Sequence, residues 1–471
     1  MKLRGTVLLL TGVLALPATA MALNQISVAS SSPVALKLPN SLAVLSERSQ
    51  AQVIDELLEK RLTQLMPALM QQHNIDMWLL ISREYNEDPV LKTMLPATWL
   101  SARRRTMLVI VNPGAGKPAE FYAVARYDVG TVFKKAWNVE QQPDQWQALA
   151  SLIQQKKPRR IGINQSADFG HADFGHADGI VATELALLKQ ALGEQAEKLV
   201  SAEKLAVAWL ETRLPEELKN YQTLTQIGHQ LIATAFSNQV ITPGATSTED
   251  VVWWLRQQST ELGLPVWFHP TVSIQRPSSG KFDQISAFSA AKADNIIQAG
   301  DLLHVDFGLT YLRLNSDQQQ HAYVLKPGET DAPAELKQAL RLGNQAQDIL
   351  TQQFKTGLSG NQLLQQSLSK AKQQGLKATI YSHPIGHHGH AAGPTIGMWD
   401  NQHHIAGSGE YPISANTAYS IELNVAVDLP QWGNQIRIML EEDGYFDGQQ
   451  FHYFNERQTQ FHLIKAPEVT P

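Results

Sequence analysis

Cysteine is absent from this sequence of 471 residues. Its absence excludes disulfide scaffolds, thiolate zinc sites, iron–sulfur clusters and cysteine nucleophiles, so any metal must be held by His, Asp and Glu. A basic excess is also missing, because 39 Lys and Arg face 44 Asp and Glu and leave a formal net charge of −5. That balance is not the electrostatic footprint of a nucleic-acid-binding protein. The signatures His-Glu-x-x-His and Gly-x-Ser-x-Gly do not occur, which excludes the common zincin and serine-hydrolase motifs.

The composition is that of a globular protein. Hydrophobic residues make up 43% of the sequence and charged residues 18%, which excludes a largely disordered chain. At roughly 150 residues per domain, the length predicts two or three domains. After the N-terminal segment, no apolar stretch reaches the roughly 18 residues that a membrane-spanning helix needs. The mature protein is therefore expected to have neither a membrane span nor a nucleic-acid partner.

The first residues have the pattern of an export signal. Lys2 and Arg4 precede an apolar run from Thr6 to Pro17. Two small-x-small cleavage sites follow, at residues 18–20 and 20–22, and the second is preferred. The sequence therefore predicts a signal peptide over residues 1–22 and an exported protein, periplasmic in a bacterium with two membranes.

The rest of the first half alternates between helical and strand patterns. Residues 23–46, rich in Ser, Ala, Asn and Pro, are expected to form an extended leader, and residues 47–72 have helical spacing. The apolar runs of strand type are Met77–Ile81, Met107–Val111, Phe121–Val124 and Ile161–Ile163, and the later helical segments are Trp146–Gln154 and Ile180–Leu192. Strands interleaved with helices predict an α/β N-terminal domain over residues 47–205.

Residues 206–471 are expected to form an α+β domain. Helical patterns cover Pro215–Phe236, Val251–Glu261 and Pro333–Gln353, and a capping-box pattern from Ser247 to Asp250 announces the second of them. The strand patterns are Thr271–Ile274, Leu302–Phe307, Ala418–Val427 and Gln435–Leu440. This order predicts helices grouped around an antiparallel sheet.

A five-residue near-duplication, Asp-Phe-Gly-His-Ala, occupies residues 168–177. One interpretation is a metal site made by Asp168, His171, Asp173 and His176. The other is a surface loop interrupted by glycine, because two copies are too few for a repeat fold.

Acidic and histidine residues stand on or beside the strands of the second half. Asp306 interrupts an apolar strand, and Asp317 follows eleven residues later, a spacing that fits two antiparallel strands facing one centre. Four histidines lie among the nine residues Ser382–His390. Glu422 is flanked by apolar strand residues, and two adjacent glutamates, at 441 and 442, end another alternating strand. Carboxylates and imidazoles of this kind are ligands for divalent cations.

Together these segments resemble the pita-bread metallopeptidases, the family of methionine aminopeptidase, aminopeptidase P and prolidase. Asp306-x-Gly308 resembles its first ligand strand, and Asp317 stands at its eleven-residue interval. His383-x-x-Gly386-His387 resembles its His-x-x-x-His loop, and Ser420-x-Glu422 resembles its Thr-x-Glu strand. Arg437-Ile438, leading to Glu441-Glu442-Asp443, resembles its Arg-Ile-Glu-Asp strand. The resemblance covers about residues 214–464 and implies a pita-bread C-terminal domain behind a creatinase/prolidase-like N-terminal domain.

The resemblance also implies a ligand set and a cofactor. The implied metal ligands are Asp306, Asp317, His387, Glu422 and Glu442, with Glu441 as the alternative to Glu442. Four carboxylates carry four negative charges, which two divalent cations such as Mn, Co or Zn would balance. A hydroxide that bridges the two metals would then act as the nucleophile.

Three departures from the family pattern concern accessory residues. Pro394 stands where the family has a His seven residues after the ligand His, a second accessory His has no counterpart near Ser289, and Gln319-Gln320 replaces Thr-Arg. His383 and His390, from the same loop, or His269, before the strand that begins at Thr271, are the candidates for catalytic or substrate-binding roles in their place.

The leading hypothesis is therefore an exported, metal-dependent peptidase that cleaves short peptides, including at Xaa-Pro bonds. One alternative is an altered pita-bread protein that binds a peptide or another partner without catalysis. Another is a hydrolase of a non-peptide amide. The sequence leaves the oligomeric state open, with a homo-oligomer among the options.

Overall fold

The structure is a computed structural model that describes residues 42–114, 116–166, 175–277 and 295–466. The expected signal peptide, residues 1–22, lies outside the described residues, as do most of the expected leader and Asp168, His171 and Asp173 of the duplication. No helix among the described residues is long and apolar enough to cross a membrane.

The first half is built from helices and short strands. Its helices are α1 (Glu47–Lys60), α2 (Met66–Gln72), α3 (Pro89–Thr93), α4 (Gln145–Lys156), α5 (Ala182–Leu192) and α6 (Glu203–Glu211). Its strands are β1 (Met77–Arg83), β2 (Arg105–Val111), β3 (Glu120–Ala123), β4 (Lys134–Lys135), β5 (Ile161–Ile163) and β6 (Leu199–Ser201). A π-helical segment, Arg61–Leu65, joins α1 to α2.

These six strands form one mixed sheet in the order β4-β3-β2-β1-β5-β6. Strand β1 is buried along almost its whole length. Trp78 and Leu80 face one apolar cluster, whereas Met77, Leu79 and Ile81 face another. Because alternate residues of a strand point to opposite faces, helices cover both sides of this sheet.

The second half contains four longer helices and eleven strands among the described residues. The helices are α7 (Pro215–Ala235), α8 (Thr248–Glu261), α9 (Ala334–Thr351) and α10 (Gly360–Gln373). The strands are β7 (Thr271–Gln275), β8 (Leu302–Phe307), β9 (Thr310–Tyr311), β10 (Leu314–Asn315), β11 (Gln318–Leu325), β12 (Lys377–Ile380), β13 (His383–Pro384), β14 (Thr417–Leu429), β15 (Asn434–Phe446), β16 (Phe451–Tyr453) and β17 (His462–Lys465).

Nine of these strands form the large sheet. Its main path runs β12-β14-β15-β11-β8-β7, and β13, β16 and β17 pair at its sides. Every pairing in it is antiparallel except that of β11 with β17. The ladder between β14 and β15 is unbroken from Thr417 opposite Phe446 to Leu429 opposite Asn434, so it contains no bulge. Apolar clusters on the sheet include residues of α7 and α8 in one case and residues of α9 and α10 in another. The predicted antiparallel α+β architecture is confirmed.

The helix pattern of the sequence agrees closely with the structure. The capping box at the start of α8 is confirmed, because the Ser247 hydroxyl accepts from the Asp250 amide at 3.1 Å and the Asp250 carboxylate accepts from the Ser247 amide at 2.8 Å. Among the longer elements, strand β11 and helices α6 and α10 were not predicted, and neither were the short strands β12, β13, β16 and β17. Strand β11 opens with three glutamines and a histidine and is buried throughout, so its composition suggested no strand.

Candidate metal centre

Four neighbouring strands place polar side chains in one row across the large sheet. In the register of the strands, Glu422 on β14 lies opposite Glu441 on β15. Glu441 lies opposite Gln319 on β11, and Gln319 lies opposite Asp306 on β8. Side chains directly opposite each other share a face of the sheet. The sequence therefore brings together, through strand pairing, residues that are up to 135 positions apart in the chain, from Asp306 to Glu441.

Asp317 joins this row from the turn that leads into β11. Its backbone amide donates to the Asp443 carboxylate at 2.9 Å, which fixes the chain where it enters the strand. Directly after strand β8, a Cβ on Gly308 would lie 2.2 Å from the Trp267 indole nitrogen. That indole N–H donates to the Ser316 carbonyl at 2.8 Å. Gly308 is therefore required for the close approach of Trp267 to the segment that carries Asp317.

His383 reaches the same carboxylates from the short strand β13. It lies opposite Ser420, two residues before Glu422, so its side chain lies on the Glu422 face. Its Nε2 atom is 3.6 Å from Glu441 Oε1, 3.9 Å from Asp317 Oδ2 and 4.0 Å from Glu422 Oε2. These separations leave room for a cation between the ring nitrogen and the oxygens.

Among the described residues, three sets of side chains offer ligand atoms that lie within 4.8 Å of one another. The sets are Asp306, Asp317 and Glu441; His383, Glu422 and Glu441; and Asp317, His383 and His390. Glu441 belongs to two sets, so it stands between two positions at which a cation would find oxygen ligands.

The negative charges of the buried carboxylates must be neutralised, either by bound protons or by cations. Burial raises the pKa of Asp306 well above its ordinary value, and the charge of Glu441 raises it further. Burial and neighbouring carboxylates likewise raise the pKa of Asp317 and of Glu422 well above their ordinary values. Burial raises the pKa of Glu441 to about 7. Converging carboxylates of this kind are not stable as four bare charges.

The donor set fits divalent cations. Asp306 Oδ1, Asp317 Oδ1 and His383 Nε2 are buried and have no hydrogen-bond partner among the described residues. Burial lowers the pKa of His383, so its imidazole is neutral at neutral pH and has a lone pair for a metal. Carboxylate oxygens with one imidazole suit Mn, Co or Zn. Buried polar atoms without partners are costly, and a cation would satisfy all three.

Glu442, preferred over Glu441 on the sequence, lies on the opposite face of β15. Its carboxylate contacts His229 Nε2 at 2.8 Å and accepts from the Gln318 amide at 3.3 Å. Because side chains alternate along a strand, Glu441 and Glu442 cannot both face the cluster. The geometry therefore favours the alternative, Glu441, over Glu442.

His387, the ligand implied by the resemblance, is not in any of the three sets. Its Nδ1 atom lies 3.2 Å from the Arg313 carbonyl. Burial lowers the pKa of His387 well below its ordinary value, and the charges of Arg213 and Arg61 lower it further. The strand β13 ends at Pro384, and the chain then turns back, with the Ala391 amide bonded to the Pro384 carbonyl at 3.0 Å. The paired residue His383, rather than His387, therefore faces the carboxylates.

The other two candidate histidines have different surroundings. His390 is exposed, and its ring lies 4.8 Å from that of His383 and 5.2 Å from that of Trp267. It therefore stands at the mouth of the cluster. His269 is also exposed, but it contacts α8, with its Nδ1 atom 3.1 Å from Arg256. The structure brings His390, and not His269, to the carboxylates.

Two residues of the site were missed as functional candidates on the sequence. Gln319 was noted only as a departure from the family pattern, although strand alternation places it on the same face as Asp317. No local sequence pattern indicated that Trp267 belongs to the site. Its position depends on Gly308 and Gly389, which each leave space for the indole ring.

Comparisons with known proteins bear on the family and the fold. Residues 219–442 match the model of metallopeptidase family M24. No curated protein matches the chain by sequence.

Solved structures of similar fold cover nearly the whole chain. An X-Pro aminopeptidase from Thermotoga maritima MSB8 is 14% identical with a TM-score of 0.59, over 85% of this chain and 100% of that one. An Xaa-Pro dipeptidase from Bacillus anthracis is 16% identical with a TM-score of 0.56, over 88% and 99%. A dipeptidase from Mycobacterium ulcerans is 16% identical with a TM-score of 0.55, over 90% and 100%. At these low sequence identities, the structural similarity establishes the fold alone. Residues 219–442 therefore form a domain of metallopeptidase family M24, and the chain that carries them has the pita-bread fold.

Proposed function

We propose that this protein is a metal-dependent peptidase that cleaves short peptides, with the Xaa-Pro bond as its preferred target. The proposal depends on one observation: four carboxylates, from Asp306, Asp317, Glu422 and Glu441, lie close to His383. Asp306, Asp317 and His383 each have a buried ligand atom without a hydrogen-bond partner among the described residues. The family domain supports peptide hydrolysis, and the likeness to an X-Pro aminopeptidase and an Xaa-Pro dipeptidase supports the Xaa-Pro preference.

Up to two divalent cations, Mn, Co or Zn, would bind here. One would lie between His383, Glu422 and Glu441, and the other between Asp306, Asp317 and Glu441. When bound, such cations polarise a peptide carbonyl and lower the pKa of water.

The chain itself would orient the peptide at the mouth of the cluster. The ring of His390 is partly desolvated by the surrounding protein and lies beside His383, and both effects lower the pKa of His390 to about 4, so the ring is neutral near pH 7 and donates or accepts a hydrogen bond. Its position beside His383 suits contact with the amine of the leaving group. The indole of Trp267, in edge contact with the rings of Phe268 and His390, offers an apolar wall to a substrate side chain.

The test combines metal content with hydrolysis. Purified protein is stripped by chelation, reloaded separately with Mn, Co and Zn, and assayed on Xaa-Pro dipeptides and tripeptides and on matched peptides with Ala in place of Pro. We expect cation-dependent cleavage that is faster with Pro, and loss of both cation and cleavage in Asp317→Asn. Bound cation with no hydrolysis of any short peptide would overturn the peptidase proposal.

A second candidate is a peptide-binding protein without catalysis. It is favoured by Pro394 and Gln319, which stand where the family has an accessory His and a Thr. Peptide binding that survives both chelation and Asp306→Ala, without hydrolysis, would support this candidate. Cleavage of amides other than peptides, seen by product analysis, would instead support a non-peptide hydrolase.

We also propose that the protein is exported, on the pattern of residues 1–22 alone. Expression of the full chain in a bacterium with two membranes tests the proposal. The expected result is a periplasmic protein whose first residue is Leu23, found by N-terminal sequencing. An uncleaved cytoplasmic protein would contradict it.

A further inference from the structure

His176 and His388 bring two imidazole rings together outside the carboxylate cluster. His176 lies in the short 3-10 helix Gly175–Ala177, within the second copy of the sequence duplication. His388 lies in the loop after β13. The two ring centres are 4.5 Å apart, and the ring planes are inclined by 41°. Neither histidine belongs to the three sets of ligand atoms described above, so this pair is a separate feature of the molecule.

Each ring of this pair has a buried nitrogen that no protein group satisfies. The Nδ1 atoms of His176 and His388 are both buried, and neither has a hydrogen-bond partner among the described residues. Buried polar atoms nearly always have a partner, so two such atoms on neighbouring rings need an explanation. Because the residues are 212 positions apart in the chain, the fold itself brings them together. One ligand that both rings share would satisfy both nitrogens.

The rings are uncharged at neutral pH and so have lone pairs for a metal. Burial lowers the pKa of His176 below its ordinary value, and it lowers the pKa of His388 to about 3. Two permanent positive charges also act on His388. Arg213 is paired with Glu217 at 3.5 Å, and Lys92 is exposed to solvent, so the first charge is compensated and the second is screened.

The separation of the rings fits a cation whose ligands are at right angles. When a nitrogen lies at the usual ~2.0–2.1 Å from a metal, the centre of its imidazole ring lies roughly 3.2 Å from that metal. Two such ring centres are about 4.5 Å apart at a ligand angle of about 90°, and about 5.2 Å apart at the tetrahedral angle. The observed 4.5 Å therefore agrees with the right angle of square-planar and octahedral coordination.

We infer that His176 and His388 form a second metal site, for Cu²⁺ or Ni²⁺, separate from the carboxylate centre. Imidazole suits these two cations, which adopt square-planar geometry and bind nitrogen ligands more tightly than Mn²⁺ does. Water would complete the coordination. A cation held here joins the first half of the chain to the loop that carries His383 and His390. The inference does not rest on the proposed peptidase function.

The experiment counts imidazoles on bound copper. The parent protein is the full-length chain with His383→Ala, which removes the imidazole of the carboxylate centre from the count. It is titrated with Cu²⁺ by calorimetry, and the loaded protein is examined by electron spin-echo modulation. We expect copper with two imidazole ligands. With His176→Asn added, we expect one imidazole and an affinity lower by at least ~10-fold, because a direct ligand should matter no less than an outer one.

His73→Gln in the same parent is the matched control. His73, directly after α2, is also half-buried, and its Nε2 atom is buried without a hydrogen-bond partner among the described residues. It should leave the two-imidazole copper signal unchanged. His388→Asn, which removes the other ring, replaces His176→Asn if thermal melting shows that the latter does not fold. Because a ligand of the folded state stabilises it, Cu²⁺ should raise the melting temperature of the parent and of His73→Gln, and of neither Asn variant.

Three results would overturn the inference. The first is a copper signal from the parent with fewer than two imidazoles. The second is a Cu²⁺ affinity that neither His176→Asn nor His388→Asn changes. The third is an equal loss of affinity in His73→Gln, which would show that copper binds buried histidines only when the protein opens.

Discussion

Glu441 lies directly opposite Glu422 in the pairing of β15 with β14, and both carboxylates accept hydrogen bonds from the single side-chain amide of Gln319. Strand register alone sets this relationship. A slip of one residue would turn Glu441 away and place either Leu440 or Glu442 in the row. The unbroken ladder of β14 and β15, with no bulge, secures the register on which the centre depends.

The two adjacent glutamates of β15 should therefore respond differently to substitution. In Glu441→Gln, we expect cation affinity to fall by more than the roughly 10–100-fold that loss of an outer partner costs. In Glu442→Gln, we expect the cation to stay and the free energy of unfolding to fall by about 1 kcal/mol, because the contact with His229 loses its charge. Metal analysis of the dialysed protein measures the first effect, and urea denaturation measures the second. The reverse pattern would restore Glu442 as the ligand.

Substitution of His383 and of His387 gives a second comparison, because the geometry indicates His383 as the metal ligand whereas the family pattern indicates His387. In His383→Ala, the cluster loses the imidazole nearest to the carboxylates, so we expect cation affinity to drop by at least ~100-fold. In His387→Ala, no ligand atom of the three sets is removed, so the cation should remain. The absorption spectrum of the Co²⁺-loaded protein reports the loss of a nitrogen ligand directly. A spectrum altered only in His387→Ala would show that the ring of His387 turns into the centre when metal binds.

The sequence alone predicted the strands that carry Asp306 and Glu422, because each of these residues interrupts an apolar run, and the strand that leads to Glu441. It did not decide between adjacent candidates. The choice of Glu441 over Glu442 depends on which face of β15 meets Gln319, and the choice of His383 over His387 depends on the pairing of β13 with Ser420. Both are contacts between segments distant in sequence, which local patterns do not contain.

The same reasoning explains the elements that were missed. Strand β11 begins Gln318-Gln319-Gln320-His321, a polar run that favours no strand, yet all four side chains are buried. Their burial is stable because each finds a hydrogen-bond partner: Glu442, the glutamate pair, His462 and the Leu303 carbonyl. Tertiary partners therefore override the composition of the strand.

A buried ion pair connects the N-terminal helical segment to α7, and breaking it should be costly. Arg61 Nη1 lies 2.8 Å from Glu217 Oε2, and both side chains are 2% exposed. Arg61 also stacks over the ring of Trp209 at 4.4 Å. In Arg61→Ala, we expect the free energy of unfolding to fall by about 3–5 kcal/mol, because the buried Glu217 charge keeps only the more distant Arg213, at 3.5 Å, and the contact of Arg61 with Trp209 is lost.

The double variant Arg61→Met, Glu217→Gln is the control for that prediction. It removes both charges of the pair, keeps much of the volume and leaves an amide oxygen at position 217 that can still accept from the buried Arg213, so it should be more stable than Arg61→Ala alone. Guanidinium denaturation at fixed pH compares the three proteins. Equal losses in the single and double variants would indicate that the packing of Arg61 on Trp209 matters more than its charge.

Glu211, at the end of α6, gives the protein a pH-dependent stability. Its side chain is 6% exposed, and its Oε2 atom has no hydrogen-bond partner among the described residues. Burial raises the pKa of Glu211 to about 8, and the Ser414 hydrogen bond and the charge of Arg213 offset this only in part. The folded protein therefore holds a proton that the unfolded chain releases above its ordinary pKa of 4.5. The stability that Glu211 contributes is complete below that value and is lost as the pH rises through about 8.

Substitution of Glu211 by Gln should remove this dependence, because the amide keeps the shape of the protonated acid and cannot ionise. We expect Glu211→Gln to melt close to the wild type at about pH 5 and to be more stable by about 1–3 kcal/mol at about pH 9, where the wild type must bury a charge or open. Glu216→Gln, which alters an exposed glutamate paired with Lys60, is the matched control and should show no such gain at high pH. If the difference in stability between wild type and Glu211→Gln does not change between about pH 5 and about pH 9, Glu211 is ionised and hydrogen-bonded in the folded protein.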